Sequence, residues 1–323
     1  MKTLSTLLLA ACAVGVMAGS AAAQSDWPSK PVRIIVPFGA GGSADTLARV
    51  VANQLEKTFK QSFVVENRPG AGGTIGVQAL AASRPDGYTI GMTNISTLSL
   101  APVINKAVAY RPLEDFTHIA YVGGAPVVLS ATQNIGVDTL SDFVAYATKN
   151  GFTFASSGIG SDGHLMGEAI ALATKVKPRH VPYKSTGQAL TDLVAGHVPF
   201  STFTLSSTSQ FLRADQVNGI AVTTDERLPA YSKIPTFKEL GYDLVGTTWF
   251  SLSGPAKLDP EIADKLNKAV QAATSDPEVQ ERFRRDGFIT EAFSPAEFTK
   301  FVAEENARWL PLIKSSGLVG SGG

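Results

Sequence analysis

Short apolar runs alternate with amphipathic segments along most of the chain. Val32 to Val36 is an apolar run rich in β-branched residues, as in a buried strand. From Ser43 to Phe59, apolar residues recur at spacings of three and four, which is typical of a helix that packs against a sheet. The same order of strand and helix recurs as far as Ala195. This alternation predicts an α/β fold with largely parallel sheets.

The same patterns predict the remaining elements, and the C-terminal part contains few strands. The other predicted strands are Phe63 to Glu66, Thr89 to Thr93, Val127 to Ala131, Phe152 to Ser156 and a short one near His180. The other predicted helices are Thr74 to Ala82, Leu140 to Lys149, Asp162 to Thr174, Thr186 to Ala195 with Gly196 after it, Pro260 to Ser275, Asp276 to Arg285 and Pro295 to Lys314.

A chain of 323 residues is long for one hydrophobic core, so we expect two lobes. The sequence contains no long flexible linker, and strands should therefore cross between the lobes. Tyr121 to Val127 and Thr248 to Pro255 are the predicted crossings. The first lobe is then 24–124 plus 250–323, and the second is 125–249.

The N-terminus follows the pattern of an export signal. Lys2 precedes an apolar run from Leu4 to Met17, and small residues at Ala21 to Ala23 favour cleavage there. Residues 1–23 are therefore predicted to be a signal peptide, and the mature chain to be a periplasmic protein that does not span the membrane. An alternative is cleavage before Cys12, the one cysteine in the sequence, which would leave a lipidated N-terminus.

Composition narrows the classes of partner. The chain has 28 Lys and Arg against 28 Asp and Glu, so no overall charge attracts nucleic acid. With 44% hydrophobic residues, it has the composition of a folded globular protein.

Two glycine-bearing loops stand between a predicted strand and a predicted helix. The first runs from Pro37 to Asp45 and the second from Ser156 to His164. Glycine lets a backbone approach a ligand closely, and the free amides at a helix N-terminus bind carboxylates. If the loops face each other, they predict an anion site at the carboxyl ends of the strands. The alternative for the first loop is a structural turn with Ser43 as the helix N-cap.

Other functions lack their usual motifs. The first loop lacks the third glycine of a dinucleotide-binding turn and the second matches it only as a pattern, although Glu66 is roughly placed for the acidic residue of that motif. No serine lies in G-x-S-x-G, and the four histidines show no metal-ligand spacing. We therefore predict no catalytic residues, no metal and no cofactor.

Several single residues leave two interpretations open. His164 could bond an anion or lie on the surface of a first helical turn. Asp45 is expected to pin its loop through backbone N–H groups rather than act as a base. Tyr183 is a candidate ligand contact, and the Trp249–Phe250 pair could form a cleft wall or pack in the core.

Many short segments occur in a characteristic order between Trp27 and Leu318. They are Trp27-Pro28, Ile34 to Phe38, Gly41-Gly42, Asp45, Glu66 to Gly73, Gly76, Arg84 to Tyr88, Ser156 to Gly158, Tyr183-Lys184, Pro235 to Gly241, Trp249-Phe250 and Asp276 to Val279. In these segments the chain resembles the Bug family of extracytoplasmic solute receptors, the binding components of tripartite tricarboxylate transporters.

The resemblance implies a two-lobed clamshell like other periplasmic binding proteins, each lobe a mostly parallel sheet flanked by helices. It further implies a monomer that binds a small carboxylate and delivers it to integral-membrane transporter subunits. A ligand-sensing receptor with a signalling partner, or an α/β enzyme, is the alternative. The implied ligand-binding residues are Phe38, Ala40, Gly41, Gly42, Ser43, Asp45, Thr93, Asn94, Ser96, Ser156, Ser157, Gly158, Ile159, Gly160, Ser161, His164, Tyr183, Thr202, Phe203 and Phe250.

One departure from the family pattern bears on the ligand. Many relatives have an Asp in the strand that here reads Phe200 to Thr204, and in amino-acid-binding members it can meet an ammonium group. This chain has no acidic residue between Asp192 and Asp215. A buried ammonium without a partner is costly, so an aromatic or aliphatic dicarboxylate is the predicted ligand. Thr202 and Phe203 would face its body.

Overall fold

The computed structural model of the protein describes residues 27–315 and residue 319. The predicted export signal and Cys12 lie outside the described residues. Within the described part, none of the helices is long and apolar enough to cross a membrane.

The described elements follow the predicted alternation closely. The strands are β1 (Val32–Val36), β2 (Phe63–Asn67), β3 (Thr89–Asn94), β4 (Phe116–Thr132), β5 (Phe152–Ser156), β6 (Pro178–Pro182), β7 (Phe200–Thr204), β8 (Val217–Val222) and β9 (Thr247–Pro255). The α-helices are α1 (Ser43–Phe59), α2 (Thr74–Ala81), α3 (Ala101–Ile104), α4 (Leu140–Asn150), α5 (Asp162–Thr174), α6 (Thr186–Ala195), α7 (Leu205–Arg213), α8 (Pro260–Ser275), α9 (Pro277–Asp286) and α10 (Pro295–Ser315).

The described strands form one mixed sheet in the order β2-β1-β3-β9-β4-β7-β5-β6, with β8 also paired to β4. Pairing is parallel in β2-β1-β3 and in β6-β5-β7, as the alternation of strands and helices predicts. The pairs that involve β4 or β9 are antiparallel. We call β2-β1-β3-β9 with its helices the first region, and β5 to β8 with theirs the second region.

Strand β4 joins the two regions because it changes partners along its length. It pairs with β9 from Phe116 to Pro126, and with β7 and β8 from Val127 to Thr132. The change falls at the end of the predicted crossing Tyr121 to Val127. The lobe limits 24–124 plus 250–323 and 125–249 remain a prediction.

An aromatic cluster fixes β5 and β7, whose ends carry part of the site. Phe143 of α4 packs edge-on against Phe152 and Phe200, with ring centroids 4.9 Å and 5.1 Å away. All three side chains are fully buried. Such pairs contribute about 0.5–1.5 kcal/mol each beyond the burial of their area. The loop that follows β5 therefore starts from a rigid position.

Helix α5 packs so closely on β7 that its second residue must be glycine. The Thr202 hydroxyl donates to the Gly163 carbonyl at 2.8 Å. A Cβ at Gly163 would overlap the backbone carbonyl oxygen of Thr202, which cannot rotate away.

We predict that Gly163→Ala lowers the free energy of unfolding by about 1–3 kcal/mol, because the new methyl group forces α5 away from β7. The matched control is Gly187→Ala. Gly187 is also the second residue of its helix, but a Cβ there meets its nearest neighbour, the Ala40 carbonyl oxygen, at an ordinary 3.4 Å. Urea denaturation measures the unfolding free energy of both variants. Equal stability of the two variants would contradict the close packing of α5 on β7.

Candidate functional site

The first glycine-bearing loop ends one residue earlier than the structural alternative requires. Gly42 occupies the N-cap position of α1, and no side chain caps this helix. The interpretation of Ser43 as the N-cap is therefore wrong. Gly41 has a φ of 86°, a left-handed conformation that favours glycine.

The Ser43 hydroxyl instead contacts the start of α7 in the second region. Its Oγ lies 2.7 Å from Thr204 Oγ1, 2.5 Å from Ser206 Oγ and 2.9 Å from Ser207 Oγ. The Ser43 N–H also donates to Ser207 Oγ at 3.1 Å. We call these four residues the hydroxyl cluster. It joins the first turns of α1 and α7 across the two regions.

Asp45 holds the first loop in place, as expected. Its carboxylate accepts the Gly41 N–H at 3.2 Å, Asn67 Nδ2 at 3.1 Å and Arg49 Nη2 at 2.9 Å. Burial by itself would raise the pKa of Asp45, but the hydrogen bonds from Arg49, Asn67 and Gly41 outweigh it and hold the pKa below its ordinary value. The carboxylate is thus committed to the loop and lies outside the pocket described below.

The second loop is organised by Ser156 and Ser161. Ser161 is the N-cap of α5 and accepts the His164 N–H at 3.2 Å. The Ser156 Oγ lies 3.1 Å from Ser161 Oγ and 2.6 Å from His180 Nε2. Gly158 and Gly160 have φ values of 125° and 76°, so glycine is required at both turns.

Two histidines stack behind the second loop. The rings of His164 and His180 have centroids 3.8 Å apart and planes 14° from parallel. The Gly160 N–H donates to His164 Nδ1 at 3.2 Å. Burial lowers the pKa of His164 to about 4, and burial with the neighbouring His164 lowers that of His180 to about 3. Both rings are therefore neutral near pH 7, and the interpretation of His164 as a surface residue is wrong.

The Ser156 and His180 pair has the spacing of a nucleophile and its base, but its surroundings do not suit catalysis. Ser156 is fully buried, so no substrate carbonyl can reach its oxygen in this arrangement. A histidine with a pKa of about 3 is also a weak base at neutral pH. The pair instead supports the backbone of the loop.

A pocket of about 390 Å³, its open mouth included, lies between the two loops. The predicted residues that line it are Phe38, Gly42, Ser43, Asn94, Ser157, Thr202, Phe203 and Phe250. The lining residues that the sequence did not predict are Ala44, Asp162, Gly163, Thr186, Thr204 and Ser207.

The other predicted residues lie around the pocket rather than in its lining. They are Ala40, Gly41, Asp45, Thr93, Ser96, Ser156, Gly158, Ile159, Gly160, Ser161, His164 and Tyr183. Thr93 Oγ1 bonds Ser251 within the sheet at 2.7 Å, and the Tyr183 hydroxyl donates to Asp192 at 2.7 Å. Of the pair at the second crossing, Phe250 lines the pocket, whereas Trp249 is buried in the core and donates to Glu305 at 2.9 Å.

The first turns of four helices meet at this pocket. Ser43 begins α1, Asp162 begins α5, Thr186 begins α6, and Thr204 is the N-cap of α7. Each helix start carries N–H groups that have no partner within the helix, together with the positive end of a dipole. Hydroxyl groups already accept the N–H groups of Ser43 and Asp162. The four helix starts together create a positive potential without a basic side chain, which suits a small anion. A strand end followed by a short polar turn predicts the starts of α1, α5 and α6, whereas α7 follows β7 directly and was not predicted.

Asp162 is the one acidic side chain in the lining. Its carboxylate accepts the Ser96 hydroxyl at 2.9 Å and also the Thr248 hydroxyl, and its own N–H donates to Ser96 Oγ at 2.9 Å. Burial raises the pKa of Asp162, and these hydrogen bonds offset only part of the increase. Strand β7 has no acidic residue, as its sequence shows, but α5 provides a carboxyl group to the same pocket.

Comparisons with known proteins identify the family of this chain. Residues 47–318 match the family described as the tripartite tricarboxylate transporter family receptor. BugT of Bordetella pertussis is 33% identical over 319 residues, which is 97% of this chain and 98% of BugT.

Two solved structures from Rhodopseudomonas palustris are also similar. Rpa4515 with adipate is 32% identical, has a TM-score of 0.87, and the match covers 90% of this chain and 98% of that one. MatC with bound malate is 31% identical with a TM-score of 0.84, and the match covers 89% and 100% of the two chains.

The fold is that of a solute-binding receptor with a mixed α/β sheet. The chain belongs to the tripartite tricarboxylate transporter receptor family, and the predicted membership of the Bug receptors is confirmed.

The histidine stack predicts a loss of stability in acid. Histidine in an unfolded chain has a pKa of about 6.5, whereas His180 has a pKa of about 3 in the folded protein. Its contribution to stability is therefore complete above pH 6.5 and is lost as the pH falls towards 3. One such histidine adds at most about 1.4 kcal/mol per pH unit to the slope of the unfolding free energy against pH.

We predict that His180→Asn flattens the dependence of the unfolding free energy on pH between 7 and 5, because asparagine can still bond Ser156 but does not titrate. His197→Asn is the control, since His197 is exposed and lies outside the stack. Its slope should match that of the unaltered protein. If His180→Asn keeps the original slope as well, the neutral stack is not the source of the acid sensitivity.

Proposed function

We propose that this protein is a periplasmic receptor that binds a small dicarboxylate without chemical change and delivers it to a tripartite membrane transporter. The observation that carries the proposal is the meeting of four helix N-termini at one pocket with no basic side chain in its lining. Backbone amides and hydroxyls in that arrangement bind carboxylate oxygens. The adipate and malate in the two similar structures support this class of ligand.

The apolar part of the pocket suits the body of such a ligand. Phe38, Phe203 and Phe250 line it together with the polar groups. One carboxylate would lie at the N-termini of α1 and α5, and the aliphatic or aromatic body would lie against the three rings. Burial of carbon surface there contributes about 25 cal/mol per Å² before the cost of ordering is subtracted.

Closure of the two predicted lobes would be coupled to binding. Several polar contacts already join the two regions, including the hydroxyl cluster, the Ser96–Asp162 bond and the Ser185 hydroxyl that donates to the Ala40 carbonyl at 3.3 Å. A ligand that touches both regions favours the closed form by its difference in affinity for the two forms. The transporter would then recognise the closed receptor.

The predicted export signal and the receptor family support a periplasmic location and a role in uptake. Deletion of the gene would separate uptake from signalling. Cells without the gene should fail to accumulate the labelled ligand if the protein is a transport receptor. Loss of a transcriptional response with normal uptake would favour the signalling alternative.

We predict that the purified protein is stabilised against heat by one or more members of a panel of succinate, malate, adipate, citrate and phthalate. The stabilisation should follow RT ln(1 + [L]/Kd) for one site, and calorimetry should give one ligand per chain. Ser157→Ala removes a hydroxyl from the lining and should raise Kd about ten-fold, since a hydrogen bond to a charged group contributes about 1.5–3 kcal/mol. Ser83→Ala, at the end of α2, is the control and should leave Kd unchanged.

If no compound of the panel raised the melting temperature, the proposed ligand class would be wrong. Consumption of the ligand, followed by chromatography over the same period, would instead show that the protein is an enzyme.

Asp162 provides a second test of the ligand class. We predict that Asp162→Asn tightens dicarboxylate binding at a pH where the Asp162 carboxyl group is ionised, because the variant then removes a negative charge from the pocket lining. Ser96→Ala is the control for the contact between the regions, since it removes the Ser96–Asp162 hydrogen bond but keeps the carboxyl group. Weaker binding by Asp162→Asn, with little change for Ser96→Ala, would contradict the proposal and indicate a ligand with a cationic group.

A further inference from the structure

A second concave surface lies beyond the hydroxyl cluster, on the side away from the ligand pocket. We call it the arginine groove. It encloses about 900 Å³ with its open side included, against about 390 Å³ for the ligand pocket. Thr46 of α1, Ser206 and Gln210 of α7, and three arginines line it. The groove shares Ser207 with the ligand pocket, so the hydroxyl cluster forms the wall between the two.

The groove carries an excess of positive charge. Arg213, Arg282 and Arg285 share a single carboxylate, that of Asp286, at nitrogen-to-oxygen distances of 3.4, 3.6 and 3.4 Å. One carboxylate cannot neutralise three guanidinium groups, and these distances are long for charge-assisted hydrogen bonds. Because the chain as a whole has equal numbers of acidic and basic residues, this local excess is specific to the groove.

The arginines of the groove also keep donors free for a ligand. The side chains of Arg282 and Arg285 are 47% and 58% exposed, and each has one long ion pair within the groove. By contrast, Arg284 of the same helix pairs with Glu281 at 2.5 Å and does not line the groove. A guanidinium group can bind a carboxylate through two parallel N–H bonds, so two exposed guanidinium groups on adjacent turns suit more than one carboxylate.

Both regions of the protein contribute to the groove. Helix α7 belongs to the second region, whereas α1 and α9 pack with the first. Two bonds hold these helices together: Arg213 Nη1 and the Tyr231 hydroxyl both donate to the Arg285 carbonyl, at 3.0 Å and 2.8 Å. The groove is therefore complete only when the regions have this relative position. If closure accompanies ligand binding, as the proposed function holds, the groove distinguishes the closed receptor from the open one.

We propose that the arginine groove is a docking site for an acidic segment of a protein partner. The segment would be an extended stretch of chain with several Asp or Glu residues, as on the membrane component that accepts the closed receptor. The arginines stand on two helices, so they can meet several carboxylates along a chain, and the charge of the groove complements them. Ser206 and Gln210 supply further donors along its floor.

The test uses fluorescein-labelled hexaglutamate as the probe and fluorescence anisotropy as the readout, with the full-length mature protein at low ionic strength. The unaltered protein should bind it, and 0.3 M salt should weaken the binding. The double variant Arg282→Gln/Arg285→Gln should bind about ten-fold more weakly or worse, because it loses two charge-assisted contacts. Arg284→Gln removes one charge from the same helix outside the groove and should stay within about two-fold of the unaltered protein.

Three outcomes would overturn the proposal. They are no binding of hexaglutamate by the unaltered protein, equal loss of binding in Arg284→Gln, and equal affinity for diglutamate and hexaglutamate. The last would indicate a site for small anions. Dicarboxylate binding is measured on the same samples by thermal shift. The double variant should keep that shift, so failure of the docking site and failure of the proposed function give different results.

Discussion

The structure depends on strand β4 being hydrogen-bonded to both regions of one sheet. Its first eleven residues, Phe116 to Pro126, pair with β9, and the remainder pairs with β7 and β8. A flexible tether would leave the two parallel strand groups free to move apart, whereas a shared strand restricts them to bending about it. The carboxyl ends of β1 and β5 are thereby kept on either side of one crevice, where the glycine-bearing loops lie.

The chemistry of the site follows from this placement. The pocket gathers helix starts from both regions, so its positive potential comes from backbone amides instead of lysine or arginine. Amides of this kind are fixed in position and lose little entropy when they bind, which favours a small rigid anion. Asp162 limits the positive potential when its carboxyl group is ionised, and it also ties α5 to Ser96 in the first region. The same residue therefore influences both the charge of the pocket and the contact between regions.

Much of this arrangement could be predicted from local sequence. The helix from Ser43 to Phe59 and the helix from Asp162 to Thr174 have the predicted ends. Gly42 and Ser161 stand at their N-caps, and each helix ends at a left-handed lysine, Lys60 or Lys175. Helix α7 was not predicted, since the segment from Ser206 to Ser209 has weak helix propensity and its helix is stabilised by tertiary contacts.

The residues of the site were harder to predict than the fold. A loop can be identified from its glycines, but which of its side chains faces the pocket depends on contacts with distant segments. Ser43 bonds residues more than 160 positions away, and His164 is buried because His180 stacks on it. The loops that surround the pocket could be predicted from the family resemblance. That Asp162, Thr186 and Ser207 line the pocket could be seen only in the folded structure.

The central claim is that the N-termini of α1 and α5 bind one carboxylate together. The most direct test is to follow the backbone amide resonances of ¹⁵N-labelled protein by NMR while adipate or malate is added. The account predicts that amides in Gly41 to Asp45 and in Ser157 to Gly163 shift together, with one common Kd. Shifts confined to one loop, or two loops that titrate with different Kd values, would contradict it.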